Sequence, residues 1–326
     1  MEHSLVGSSR AHCDLLKRLE TIASIDAEIL ITGPTGVGKE LYARFVHNNS
    51  LRSSQPFVPV NCGAIPVDLF ENELFGHIGG AFTGARPQSV GIVTAAEGGT
   101  LLLDEVDSLS PACQVKILRF LQEKEYRRLG ETRIRRANVR VIAATNEDLL
   151  AAVQEGRFRE DLFFRLRVVP ISVPPLADRK EDIPVLVEEF IKRCSRTYKV
   201  PPLVMSDGAL ERLQAYEWPG NIRELENSIR YLTCLQLSRE VRAADLPLLD
   251  FDEEPEPSIP EAAQNSKPFH DAKRAVVDQF ERTYLQTALH RSRGNITRAA
   301  RASGKPRRVF FELMRKHGLA RTDFEI

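Results

Sequence analysis

Seven consecutive residues, Gly33-Pro34-Thr35-Gly36-Val37-Gly38-Lys39, fit the pattern GxxxxGK, with an apolar run before them and a helical pattern after. That spacing is suited to phosphate. Its glycines let successive backbone N–H groups turn inward around phosphate oxygens, and the helix that follows directs its positive end at the same point. Lys39 would then meet the β and γ phosphates of ATP. Glu40 stands where the motif usually has Ser or Thr, so a magnesium ligand is missing from this run. Taken alone, the segment also reads as a glycine-rich turn that merely precedes a helix.

Leu101-Leu102-Leu103-Asp104-Glu105 supplies what the first run lacks. A buried strand ending in two acids puts Asp104 on Mg2+ and Glu105 where it can orient or deprotonate an attacking water. A third apolar run, Val139–Ala144, leads into Thr145-Asn146. An Asn at the tip of a neighbouring parallel strand could bond the γ-phosphate or the water; the other reading is a turn residue capping the next helix.

These residues need a sheet to gather them. Glu28–Thr32, Phe57–Asn61, Thr100–Leu103, Val139–Ala144 and Val168–Val173 read as strands, and Lys39–Asn48 and Pro111–Glu123 carry apolar residues at helical spacing. Strands alternating with helices imply an α/β fold, a mainly parallel sheet covered on both faces. After Pro174-Pro175 the pattern turns wholly helical, with Ile183–Arg196, Ser206–Tyr216 and Asn221–Gln236. The expected organisation is an ATPase subdomain over 1–173, a helical lid over 174–247, an acidic, proline-rich linker over 248–271 and a small all-α domain over 272–326.

Composition narrows the setting. The 326 residues carry a formal net charge of +0, which by itself points to no polyanionic partner. Cys13, Cys62, Cys113, Cys194 and Cys234 are scattered without CxxC pairs, as in reduced cytoplasmic proteins. No apolar stretch approaches the roughly 18 residues that span a membrane, and Met1 to Arg10 lacks a signal-peptide pattern.

Charge is not evenly spread. Within His290–His317 lie Arg291, Arg293, Arg298, Arg301, Lys305, Arg307, Arg308, Arg315 and Lys316, against the single acid Glu312. That is an electrostatic footprint for nucleic-acid phosphate. A turn at Ser303-Gly304 separates Ile296–Ala302 from Arg307–His317, and Phe310 and Met314 (i, i+4) would anchor the second helix. A solvated basic hairpin is the plainer alternative.

Glu73-Leu74-Phe75-Gly76-His77 followed by Gly80-Ala81-Phe82-Thr83-Gly84-Ala85 resembles the signature loop of sigma-54-dependent transcription activators, the bacterial enhancer-binding proteins, which are AAA+ ATPases. Phe158-Arg159 through Arg165-Leu166, and Trp218-Pro-Gly-Asn-Ile-Arg223-Glu-Leu225, carry the resemblance along nearly the whole chain. It implies that Gly80–Ala85 contacts sigma-54, with Phe82 and Thr83 projecting. Arg159 and Arg165 would be arginine fingers for the ATP of a neighbouring subunit in a ring, expected to be a hexamer; salt-bridged surface arginines are the alternative. Arg223 would be the lid's sensor arginine, and Asn61 the switch asparagine that restrains Glu105. Glu40 is common in the family.

The C-terminal helices resemble a Fis-type helix-turn-helix, which implies that Asn295, Arg298, Arg301, Arg307, Arg308 and Phe311 face upstream double-stranded DNA and that the helix carrying Val276, Phe280 and Tyr284 dimerises the domain. The implied activity is ATP-driven remodelling of sigma-54 RNA polymerase. One rival is a AAA+ remodeller of another protein with DNA as a tether, and a second is a non-catalytic DNA-binding regulator whose nucleotide acts as a switch. The ATPase pattern begins within the first residues, so control by a separate regulatory protein, in place of an N-terminal regulatory domain, is expected.

Overall fold

The computed structural model describes residues 5–79, 89–237 and 239–248 and, in the C-terminal part, 278, 281–282, 284–285, 288–289, 292 and 296–319. The Gly80–Ala85 loop, the stretch Asp250–Lys267, Val276, Phe280 and Asn295 lie outside the described residues.

Five strands form the central sheet: β1 (Ile29–Thr32), β2 (Phe57–Asn61), β3 (Thr100–Asp104), β4 (Arg140–Thr145) and β5 (Val169–Ser172). Their order is β2-β3-β4-β1-β5, and every pairing is parallel. The register aligns their C-terminal ends. Asn61 lies opposite Asp104, Leu103 opposite Ala143, and Thr32 opposite both Thr145 and Ser172. The fourth strand runs one residue later than its apolar run indicates, because Thr145 completes the ladder with Thr32.

Strands buried on both faces read as continuous apolar runs, and side-chain alternation divides them between two cores. Leu101 and Leu103 join one core and Leu102 the other; Leu30 and its neighbours Ile29 and Ile31 separate in the same way. Helices Phe70–Phe75, Pro111–Glu123 and Glu160–Leu166 cover the first core, while Arg10–Ala23 and Lys39–Asn48 cover the second. Ser110 caps Pro111–Glu123 by accepting the Cys113 N–H, and Pro111 fits the first turn because it has no N–H to leave unbonded. Each fully buried Leu contributes about 1.5–3 kcal/mol, so losing either face would unfold the sheet.

The lid consists of Ile183–Tyr198, Asp207–Ala215 and Asn221–Leu235 around Trp218, Leu213, Leu225 and Ile229. Ser206 lies outside its helix because its side chain accepts the Ala209 N–H as a cap, and Gln236 ends the last helix in the left-handed region. Contacts divide the chain into two compact units, Met1–Leu248 and Leu249–Ile326. In the second, Ile296–Ala302 and Arg307–Lys316 flank the turn at Gly304 (φ +62°) and bury Ala299, Ala300, Phe310 and Met314. Among the described residues, no helix is long and apolar enough to cross a membrane.

Candidate nucleotide-binding cleft and associated elements

β1 delivers the chain to Gly33, and the next helix begins at Lys39, with Gly38 as its N-cap at φ +89°. Gly36 has φ +81° and sits so close to the lid that an added Cβ would lie 2.2 Å from the Gly220 carbonyl oxygen. Only glycine satisfies both the conformation and the approach. The Lys39 ammonium donates to the carbonyls of Gly33 (2.8 Å) and Pro34 (3.1 Å), which holds it over the turn.

A cleft of about 340 Å³ opens here, lined by Thr35, Gly36, Gly38, Lys39, Glu40, Asp104, Glu105, Asn146 and the lid's Arg223. Three strand ends and one lid helix therefore converge on one space. A smaller cavity of about 110 Å³ shares Leu41, Ile222 and Glu226 with it and is lined by Leu5, Val6 and Phe190. Glu40 is paired with Arg44 at 2.8 Å, one helical turn on.

Electrostatics mark the cleft. Burial pulls the Lys39 ammonium below its ordinary value, against the opposing pull of Asp104 and Asp107. Burial raises the Asp104 carboxyl, partly offset by the Glu105 N–H that it accepts at 3.0 Å and by the charge of Lys39. Glu105 follows in the left-handed region at φ +54°, a strained position for a non-glycine residue. Cys62, nearby, is pushed up to about 12 by burial and is a packing residue.

Other expected residues fall elsewhere. Asn61 Oδ1 accepts the Ala64 N–H at 3.0 Å and so caps the local turn, while the group that could meet the acceptor-only Glu105 carboxylate is its Nδ2. Arg159 is held by Asp161 (2.7 Å), and Arg165 donates to the Leu121 carbonyl (2.9 Å). Neither arginine lines the cleft of its own chain.

Three residues not singled out from sequence belong to this site. Thr145 donates to Asp107 at 2.5 Å, tying the end of β4 to the turn after Glu105. Asn221, only 2% exposed, donates to the Thr35 carbonyl (3.0 Å) and accepts the Leu176 N–H (2.8 Å). Asp107 could have been found from its spacing after Glu105. Asn221 could have been suspected from its Pro-Gly-Asn turn.

The chain enters the signature loop through Gly76–His77 and leaves it through Ser89–Val90, and these segments pair antiparallel. In the C-terminal unit, Arg298, Arg301, Arg307 and Arg308 are exposed, and so is Phe311 at 53%. Arg308 is paired with Glu312 at 3.1 Å. Lys316 bonds Asp278 (2.7 Å) and Glu281 (2.9 Å), which removes it from the set of cations turned to solvent. Asp278, Glu281 and His317 have ligand atoms close enough for a cation, but the Lys316 ammonium already serves both carboxylates.

Comparison with known proteins agrees with these elements. Residues 5–172 match the sigma-54 interaction domain, 177–262 the AAA+ ATPase lid domain, and 276–317 the Fis family of bacterial regulatory proteins. The chain is 44% identical over 305 residues to the phenol regulator MopR of Acinetobacter guillouiae, with 92% of this chain and 53% of MopR covered. It is 41% identical over 311 residues to the transcriptional regulatory protein GlrR of Escherichia coli K12, with 95% of this chain and 67% of GlrR covered. The chain thus spans between about half and two thirds of these relatives. The crystal structure of NtrX from Brucella abortus in complex with ATP superposes with a TM-score of 0.74 at 38% identity, over 98% of this chain and 70% of that one. With its parallel P-loop sheet, its lid and its C-terminal helix-turn-helix, the chain belongs to the AAA+ family of sigma-54-dependent transcriptional regulators.

Proposed function

We propose that this protein is an ATP-driven activator that binds upstream DNA, assembles into a hexameric ring, and converts the closed sigma-54 RNA polymerase complex into an open one. The observation that carries the ATPase part is the convergence of Lys39, Asp104, Glu105, Asn146 and Arg223 on one cleft. ATP is the substrate. Its phosphates fit the Gly33–Lys39 turn, and its base enters the adjoining cavity that shares Leu41 and Ile222 with the cleft. The donor set suits a divalent cation: Asp104 offers a carboxylate, and Glu40 adds an acid at the rim. Mg2+, when bound, would neutralise charge developing on the transferred phosphoryl group.

The chain's own residues divide the remaining work. Lys39 leaves the Gly33 and Pro34 carbonyls for the β and γ phosphates. Glu105 orients and deprotonates the attacking water, and Asn146 holds the water or the γ-phosphate. Arg223 reads the nucleotide from the lid, and its backbone N–H, 3.2 Å from the Gly36 carbonyl, couples lid position to the phosphate loop. Asn61 Nδ2 donates to the Glu105 carboxylate when the site is at rest, while its oxygen keeps the Ala64 N–H. Arg159 and Arg165 reach the ATP of the next subunit, which is why they lie off their own cleft. Gly80–Ala85 delivers the stroke to sigma-54 through Phe82 and Thr83. Arg298, Arg301, Arg307, Arg308 and Phe311, with Asn295, hold the duplex. The setting is the cytoplasm, and a separate regulatory protein supplies the signal.

The test is promoter opening by sigma-54 polymerase with the full chain, comparing ATP with a non-hydrolysable analogue. Opening with ATP alone supports the reading. Opening with both nucleotides, or brisk hydrolysis with no opening at any sigma-54 promoter, contradicts it.

A further inference from the structure

We propose that the basic hairpin Lys124–Arg136 is a second DNA-contacting surface, one that grips duplex phosphates beside the signature loop and apart from the helix-turn-helix. The hairpin is built on a two-residue ladder, Glu125–Tyr126 against Arg135–Arg136. Its length holds Lys124, Arg127, Arg128, Arg133, Arg135 and Arg136 against only Glu125 and Glu131.

Ion pairing accounts for half of those cations. Lys124 pairs with Glu28, Arg135 with Glu131 and Arg136 with Glu125. Among the described residues, no carboxylate lies within ion-pair distance of Arg127, Arg128 or Arg133, and Arg127 and Arg133 are exposed. Exposed ion pairs contribute only about 0–1 kcal/mol, so a surface hairpin does not depend on them for its fold. This one leaves a surplus at its tip, next to Ile134, which is 50% exposed. Arginine is the side chain that best matches phosphate geometry.

The position of the tip identifies the polyanion. The Leu129 N–H donates to the Gly76 carbonyl at 2.8 Å, and the Ile78 N–H donates to the Leu129 carbonyl at 3.1 Å. Tyr126 stacks on Phe75 with centroids 5.8 Å apart and shares a 2.8 Å hydrogen bond with Thr94. Leu129 of the hairpin thus bridges in parallel to His77, on the Gly76–His77 stalk that pairs with Ser89–Val90. Adjacent strands lie about 4.8 Å apart, so the hairpin's arginines sit beside the two segments through which the chain enters and leaves the signature loop. At a promoter, the extended polyanion there is the duplex. The promoter as the source of that duplex rests on the activator reading; phosphate recognition by the hairpin does not.

The test uses the full chain carrying Arg307→Ala and Arg308→Ala, so that the helix-turn-helix contributes little, and a fluorescein-labelled duplex of arbitrary sequence. Binding is followed by anisotropy across a salt series without polymerase. Adding Arg127→Gln and Arg133→Gln is expected to weaken the residual binding roughly tenfold near 50 mM salt and to make the salt slope shallower by about 2. Lysine at both positions retains most of it, because lysine still meets phosphate as a point charge. Unchanged affinity and slope overturn the proposal. So does an equal loss from Arg10→Gln with Arg196→Gln, which would make the effect one of net charge, or an absence of binding in the starting protein. ATPase activity like that of the starting protein shows that the variants are folded. Failure of the activator reading shows only in promoter opening, so the two failures are distinguishable.

Discussion

Asn221 Nδ2 donates to the Thr35 carbonyl at 3.0 Å, joining the lid to the phosphate-binding turn across 186 residues of sequence. Its Oδ1 accepts the Leu176 N–H, so one buried amide fixes both the turn and the start of the lid. Asn221 also occupies the left-handed region at φ +52°, a conformation that Asn tolerates better than most residues. Asn221→Ala leaves a buried carbonyl and a buried N–H unpaired, at about 1–3 kcal/mol. Thermal unfolding should fall by several degrees, and ATP affinity should fall with it. Unchanged unfolding would show that the lid does not depend on this link.

Gly36 and Gly38 separate two roles of glycine. Both have positive φ, but an added Cβ at Gly38 meets only Leu41 at 3.7 Å, whereas at Gly36 it collides with the Gly220 carbonyl. Gly38→Ala should cost the left-handed backbone term of about 1–2 kcal/mol. Gly36→Ala should in addition force the lid away and weaken ATP binding more than tenfold. Equal ATP affinities for the two variants, measured by titration, would contradict the close approach.

Burial raises the Asp104 carboxyl above its ordinary value. A group raised in the folded state favours folding below its unfolded pKa and loses that advantage as pH rises through the raised value. At pH 7 the ionised Asp104 therefore weakens the ATP-free protein. Asp104→Asn should unfold at a higher temperature at pH 7, with the gain shrinking as pH falls through the carboxylate range. ATP hydrolysis should drop at the same time. A lower unfolding temperature at pH 7 would mean that Asp104 is stabilised by its neighbours.

Much of the site was legible because its chemistry is written locally. Gly33–Lys39, Asp104-Glu105 and Asn146 each follow an apolar strand, and parallel pairing must bring such strand ends together. The link between Asn221 and Thr35 has no local pattern, since nothing near either residue encodes contact across the domain. The same holds for Arg179, 2% exposed, which donates to the Tyr42 hydroxyl at 2.9 Å beneath the phosphate turn. The Glu125–Arg136 hairpin was invisible for a different reason. Its two-residue strands are too short for alternation to show, and its charges read as solvated surface.

Arg159 and Arg165 stand apart from the cleft of their own chain, so their effect should appear only across a subunit boundary. Arg159→Ala, Arg165→Ala and Glu105→Gln should each lower kcat by about two to four powers of ten. Mixing either arginine variant with Glu105→Gln should restore part of the activity, because some interfaces regain an intact arginine and an intact glutamate. A mixture no more active than its components would place the arginines in cis.

Glu312 holds Arg308 at 3.1 Å on the exposed helix of the C-terminal unit. Glu312→Gln should release Arg308 for phosphate or a base edge, raising DNA affinity severalfold and steepening the salt slope by about 1. An unchanged slope in a salt-series titration would place Arg308 away from the duplex.

In the proposed function, ATP hydrolysis is transmitted to polymerase through the Phe82–Thr83 loop. The direct measurement is open-complex formation by sigma-54 polymerase with the wild-type chain and with Thr83→Ala, with ATP turnover assayed in parallel. Wild type should open the promoter, while Thr83→Ala should hydrolyse ATP at a comparable rate and open none. Full promoter opening by Thr83→Ala would contradict the account.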